Sequence, residues 1–172
     1  AEQRLPLAHA IKVMDGVAES LAEAHTRGIV HRDLKPENIF LARRSADPEF
    51  VKVLDFGIAR AHAVTDGMTM TKTGTVAGTP GYMSPEGVVG RSVDVRADVY
   101  AMGIILYELL SGDQPFRGDT PFVVMTKHLN EHAPPLSVML EGEDIPETLS
   151  KFVALCMAKD PNERRIYSAS RG

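Results

Sequence analysis

Residues 31 to 38 read HRDLKPEN and place two cations, two acids, a histidine and an amide between the apolar flanks Ile29–Val30 and Ile39–Leu41. Side chains of these types handle phosphate and hard cations. A guanidinium is a planar fork that suits a phosphate dianion, and carboxylate and amide oxygens suit a small divalent ion. Two further motifs follow in order, Asp55-Phe56-Gly57 and then GTPGYMSPE from Gly78 to Glu86. HRDLKPEN alone could be a charged turn, and an Asp-Phe-Gly triplet alone carries little. Their joint order and spacing carry the argument.

The elements that must hold these motifs can be read from apolar period. Ile11, Met14, Val17, Ala18, Leu21 and Ala24 recur at three and four, which predicts a helix from Leu7 to Arg27 with Gly28 as its stop. Asn38–Leu41 and Phe50–Leu54 are short apolar runs separated by polar ARRSADPE, and so predict a pair of small strands. From Asp55 to Glu86 the chain is rich in Gly and Thr and lacks period, so a long loop is expected, of the kind that is functional when it sits in a compact domain. Asp94–Ser111 is apolar on nearly every face and should run through the middle of the fold, ending at Gly112. Thr120–Glu131 and Glu147–Ala158 predict two more helices. The fold class is therefore mainly α with a small β element beside the polar cluster.

Composition narrows the function class. The 172 residues are 44% hydrophobic and 24% charged, as in an ordinary globular domain, and the net charge of −4 does not favour a nucleic-acid partner. The longest apolar run, Tyr100–Leu110, is shorter than a membrane span and contains Glu108. One cysteine, Cys156, permits no internal disulfide; its helical spacing with Phe152 and Leu155 suggests a core position. A cytoplasmic setting is the default expectation, with any membrane anchor lying outside this segment.

HRDLKPEN matches the catalytic-loop pattern of protein kinases, Asp55–Gly57 their DFG, and GTPGYMSPE is similar to their A-P-E segment with Ser84 for Ala. DVYAMGIILYELLSGDQPF resembles the family's central helix. The chain as a whole, residues 1–172, resembles part of a kinase domain, the C-terminal lobe of a bacterial-type serine/threonine protein kinase. That resemblance implies transfer of the ATP γ-phosphate to Ser or Thr of protein substrates, with ATP and Mg²⁺ as cofactors. Asp33 would orient the substrate hydroxyl, and Lys35 would reach the γ-phosphate. Asn38 and Asp55 would supply oxygens to Mg²⁺, and Gly57 the tight turn. Phe40 would lie under the adenine, and Thr79 would hydrogen-bond near Asp33 and Lys35. Thr71 and Thr73 are implied autophosphorylation sites, with Arg32 as the phosphate sensor and dimerisation as the route to trans-autophosphorylation. Glu86 and Arg164 would form a supporting ion pair, and Asp98 would hold the catalytic loop from beneath. His31 is expected to pack and hydrogen-bond rather than titrate.

The kinase set also includes a Gly-rich loop, a strand lysine and a helix glutamate, and no G-x-G-x-x-G occurs in these residues. The N-terminal lobe is thus expected to be absent, both ends to be cuts, and the isolated segment to be inactive. The competing reading is a pseudokinase-like binding module, against which Asp33, Lys35, Asn38 and Asp55 all stand intact. A small-molecule phosphotransferase fits the SPE segment and the long loop less well.

Overall fold

A computed structural model describes residues 4–43, 49–56, 79–140 and 145–164. Helix α1 (Leu7–Thr26) buries Ala10, Val13, Met14, Val17, Leu21 and Ala24, the predicted stripe. A 3₁₀ turn at Pro36–Asn38 leads into strand β1 (Ile39–Ala42), which pairs antiparallel with β2 (Phe50–Val53) in the register Ile39–Val53 to Ala42–Phe50. The hairpin lies on α1 at close range: a Cβ on Gly16 would stand 2.6 Å from Cβ of Val51, so only glycine allows this approach.

Helix α3 (Val95–Ser111) is the centre. Tyr100, Ile104 and Ile105 are fully buried, and α1 and α6 (Glu147–Cys156) pack on it. Asp94 caps its start by accepting from the Arg96 amide, and Gly112 ends it in the left-handed region at φ 79°, where a side chain would be strained. Short α2 (Pro85–Val88) follows a 3₁₀ turn at Pro80–Tyr82, and α4 (Pro121–Asn130) packs on both. A one-turn helix, α5 (Leu136–Met139), lies between α4 and α6.

The sequence reading agrees on the main elements and differs in detail. The stretch read as loop to Glu86 already turns helical at Pro80, because proline at the first position of each short helix presets φ. α6 stops at Cys156, two residues early. Cys156 is buried, but its expected core companions Phe152 and Leu155 are 43% and 41% exposed, so the apolar stripe of α6 runs through Val153 and Cys156 instead. Gly57, Thr71 and Thr73 lie outside the described residues. Among the described residues no helix is long and apolar enough to cross a membrane.

Candidate active site

The polar cluster sits in the turn between α1 and β1, and its shape is imposed from below. Asp98, in the first turn of α3 and 1% exposed, accepts at Oδ2 from the His31 amide (2.8 Å) and at Oδ1 from the Arg32 amide (2.9 Å). Arg32 has φ +66°, a conformation that costs a non-glycine residue about 1–2 kcal/mol. Two amides delivered to one buried carboxylate offset that strain. A third partner, which nothing in the sequence singled out, completes the carboxylate: His25 Nε2 in the last turn of α1 lies 2.8 Å from Asp98 Oδ2. Replacing Asp98 with Ala strands two amides, at about 1–3 kcal/mol each. We expect a loss on the order of 3 kcal/mol in denaturant unfolding; a midpoint within error of wild type would show that the turn holds itself.

His31 is fully buried and links the turn to β2. Its Nδ1 accepts from the Asp33 amide (3.3 Å), which leaves Nε2 as the donor to the Leu54 carbonyl (2.9 Å). A neutral ring meets both partners, and it also packs on Phe56 at 4.8 Å between centroids. Leu54 donates its own amide to the Asn38 carbonyl (2.9 Å). Asp55 follows at φ +55°, a second strained non-glycine residue, and is exposed.

Three predicted residues meet directly. Lys35 Nζ lies 3.2 Å from Asp33 Oδ2 and donates to Thr79 Oγ1 at 3.2 Å, bridging the HRDLKPEN stretch to the GTPGY segment. Asn38 is buried and donates from Nδ2 to the Asp33 carbonyl (2.9 Å), so its Oδ1 is the atom available to a cation. Asn38 offers an amide oxygen and Asp55 an exposed carboxylate, both hard-oxygen donors. Among the described residues no group of three or more His, Cys, Asp or Glu could hold a metal. A donor set this sparse fits Mg²⁺, which keeps waters and takes substrate phosphate oxygens, better than an ion that needs a full protein cage. Phe40 is 50% exposed on the sheet and touches none of these groups through a hydrogen bond.

Behind the site, Arg164 donates from its two terminal nitrogens to Glu86 Oε1 (2.7 Å) and Oε2 (2.8 Å), both residues being buried. Burial alone would raise the Glu86 pKa, but the Arg164 guanidinium, together with hydrogen bonds from the Glu86 amide and Ser84, holds the carboxyl below its usual range. Tyr82, in the segment between Thr79 and Glu86, donates to Glu108 Oε2 at 2.7 Å.

A family model described as protein kinase domain matches residues 1–169. The chain is 42% identical over 155 residues to serine/threonine-protein kinase pkn3 of Myxococcus xanthus, covering 90% of this chain and 28% of that protein. It is 44% identical over 157 residues to serine/threonine-protein kinase Pkn1 of the same organism, covering 90% and 22%. It is also 44% identical over 155 residues to serine/threonine-protein kinase PknB of Mycobacterium tuberculosis, covering 90% and 24%. The chain thus spans about a quarter of the length of these relatives.

Proposed function

The chain belongs to the protein kinase domain family, in its bacterial serine/threonine branch, and from that premise we propose that it carries the C-terminal half of a site that moves the ATP γ-phosphate to Ser or Thr of proteins. The observation that carries this reading is the contact of Lys35 with both Asp33 and Thr79 at 3.2 Å. It assembles a proton acceptor, a cation and a hydroxyl around one point. In the reaction the substrate hydroxyl oxygen bonds to the γ-phosphorus, the bond to the bridging oxygen breaks, ADP leaves, and the hydroxyl proton passes to the Asp33 carboxylate. Lys35 sits against the transferred group, where a positive charge is stronger in the transition state than in bulk water. Asn38 and Asp55 would hold Mg²⁺, which supplies charge neutralisation and alignment of the phosphates. Phe40 offers an apolar floor for the base. A Gly-rich loop and strand lysine from outside these residues complete the site in this reading.

Thr71 and Thr73 are the proposed phosphate acceptors in the chain itself, modified by a second copy, with Arg32 as the partner of the phosphate. The full-length gene product, incubated with Mg²⁺ and ATP and mapped by phosphopeptide mass spectrometry, should carry phosphate on Thr71 or Thr73 and should label Ser and Thr of added protein. ATP consumption without protein phosphate, or phosphotyrosine alone, would overturn the reading.

A further inference from the structure

Lys159, which the proposed reaction does not use, has its ammonium where a cation is costly to keep. Its Nζ donates to the His128 carbonyl at 2.8 Å and lies 4.3 Å from the Phe116 ring centroid and 5.8 Å from that of Tyr100. His128 is in the last turn of α4, whose final four carbonyls have no partner inside the helix. The Glu131 amide takes the carbonyl of Lys127, and Lys159 takes that of His128. A cation there also faces the negative end of the helix dipole. α4 in turn packs on the Pro80–Tyr82 turn, which precedes the SPE segment, and on α2, which begins within it.

The charges around Lys159 can be named element by element. On α4, His128 is fully buried and paired with the Tyr100 hydroxyl through Nδ1 (2.8 Å); burial and then Lys159 lower its pKa to about 3, so it is neutral. Glu131, at the end of α4, favours the ammonium, although it lies 3.6 Å from Lys127. α3 contributes the Tyr100 ring, on which Arg164 also stacks at 4.8 Å, and α2 contributes Glu86, already bound to Arg164. Burial first, then Arg164, brings the Lys159 pKa down from 10.5 to about 8.

We propose that Lys159 is a positioning residue: by capping α4 at His128, it holds that helix against the Thr79–Tyr82 segment in the geometry that receives the protein substrate. The substrate part rests on the kinase reading above; the cap rests on the geometry alone. Stability does not explain the residue. A lysine whose folded pKa lies below its unfolded one makes the fold less stable below pH 8, and stability rises between about pH 8 and 10.5 as the unfolded chain binds the extra proton. An apolar side chain would remove that cost. The cap and the cation–π contacts weaken over the same rise in pH.

The test uses the full-length gene product, with casein as phosphate acceptor, and the variants Lys159→Met and Lys159→Arg. For Lys159→Met we expect a KM for casein raised about tenfold and amide exchange in residues 121–131 about tenfold faster, as for a lost charge-assisted hydrogen bond. Its kcat should change less than about twofold and its melting midpoint should not fall. Lys159→Arg, which keeps a cation and a donor, should restore both KM and exchange. The wild-type KM should rise from pH 7 to pH 9, and the Lys159→Met value should not. Unchanged KM and exchange in Lys159→Met would overturn the proposal, as would an equal fall in kcat with a lowered midpoint. A wild type that transfers no phosphate would overturn the kinase reading, while α4 exchange would still decide the cap.

Discussion

Asp33→Asn in the full-length gene product is expected to lower kcat for protein phosphorylation by about 10²–10⁴-fold, the usual contribution of a positioned general base, with the melting midpoint unchanged. The substitution keeps the shape of the side chain but removes its capacity to take a proton and its charge opposite Lys35. It should not disturb the turn, because Asp33 is held through its backbone. Its amide donates to His31 Nδ1 and its carbonyl accepts from Asn38 Nδ2. The side chain itself is one-third exposed and meets Lys35 at 3.2 Å, a contact worth little to stability at that exposure. Steady-state rates at saturating ATP and acceptor, read beside a thermal scan, separate the two effects. A kcat within tenfold of wild type would remove Asp33 from the chemistry and leave positioning alone to explain the site.

How much of this was legible in the sequence depended on whether the determining contacts were local. Asp33, Lys35 and Asn38 fall within six residues, and their types alone pointed to phosphate and a hard cation. α3 was legible because a helix apolar on every face has nowhere to go but the middle. His25 was not legible. A histidine in the last turn of an amphipathic helix is commonplace, and only the crossing of α1 over α3, which no local pattern encodes, brings it to Asp98 across 73 positions. The left-handed backbone at Arg32 was equally hidden, since arginine does not favour it, and Asp55 is of a type that adopts it more often but not by rule. At Arg32 it follows from the hydrogen bond its amide makes to Asp98, far along the chain. Lys159 had the same difficulty: next to Asp160-Pro161 it reads as a surface lysine, and the aromatic floor under it comes from α3 and from Phe116.

The second large effect is expected at a pair separated by 78 positions. Arg164→Ala should destabilise the protein by about 3–5 kcal/mol, because it leaves Glu86 as a buried charge without its partner. Arg164 is also the donor to three carbonyls, those of Ala158 (2.8 Å), Arg96 (3.0 Å) and Lys159 (3.2 Å). Its loss therefore unties the end of α6, the start of α3 and the SPE segment together. The pH dependence should reverse sign. In the wild type the Glu86 carboxyl lies below its ordinary value of 4.5, so its contribution is complete above that pH and is lost as pH falls through the folded pKa. Without the guanidinium, burial dominates and pushes the carboxyl up. The variant's folded state then binds the extra proton, and its stability falls as pH rises above 4.5. Denaturant midpoints at pH 5 and pH 7 should therefore show a deficit that widens toward neutrality. A deficit below about 1 kcal/mol that is flat in pH would mean water reaches and screens the pair. A widening deficit, relieved by Glu86→Gln in the same background, would identify the stranded carboxylate as its source. That relief should not restore phosphate transfer, because the double variant still leaves the three carbonyls of Ala158, Arg96 and Lys159 without their donor, and the SPE segment without its tie to Arg164.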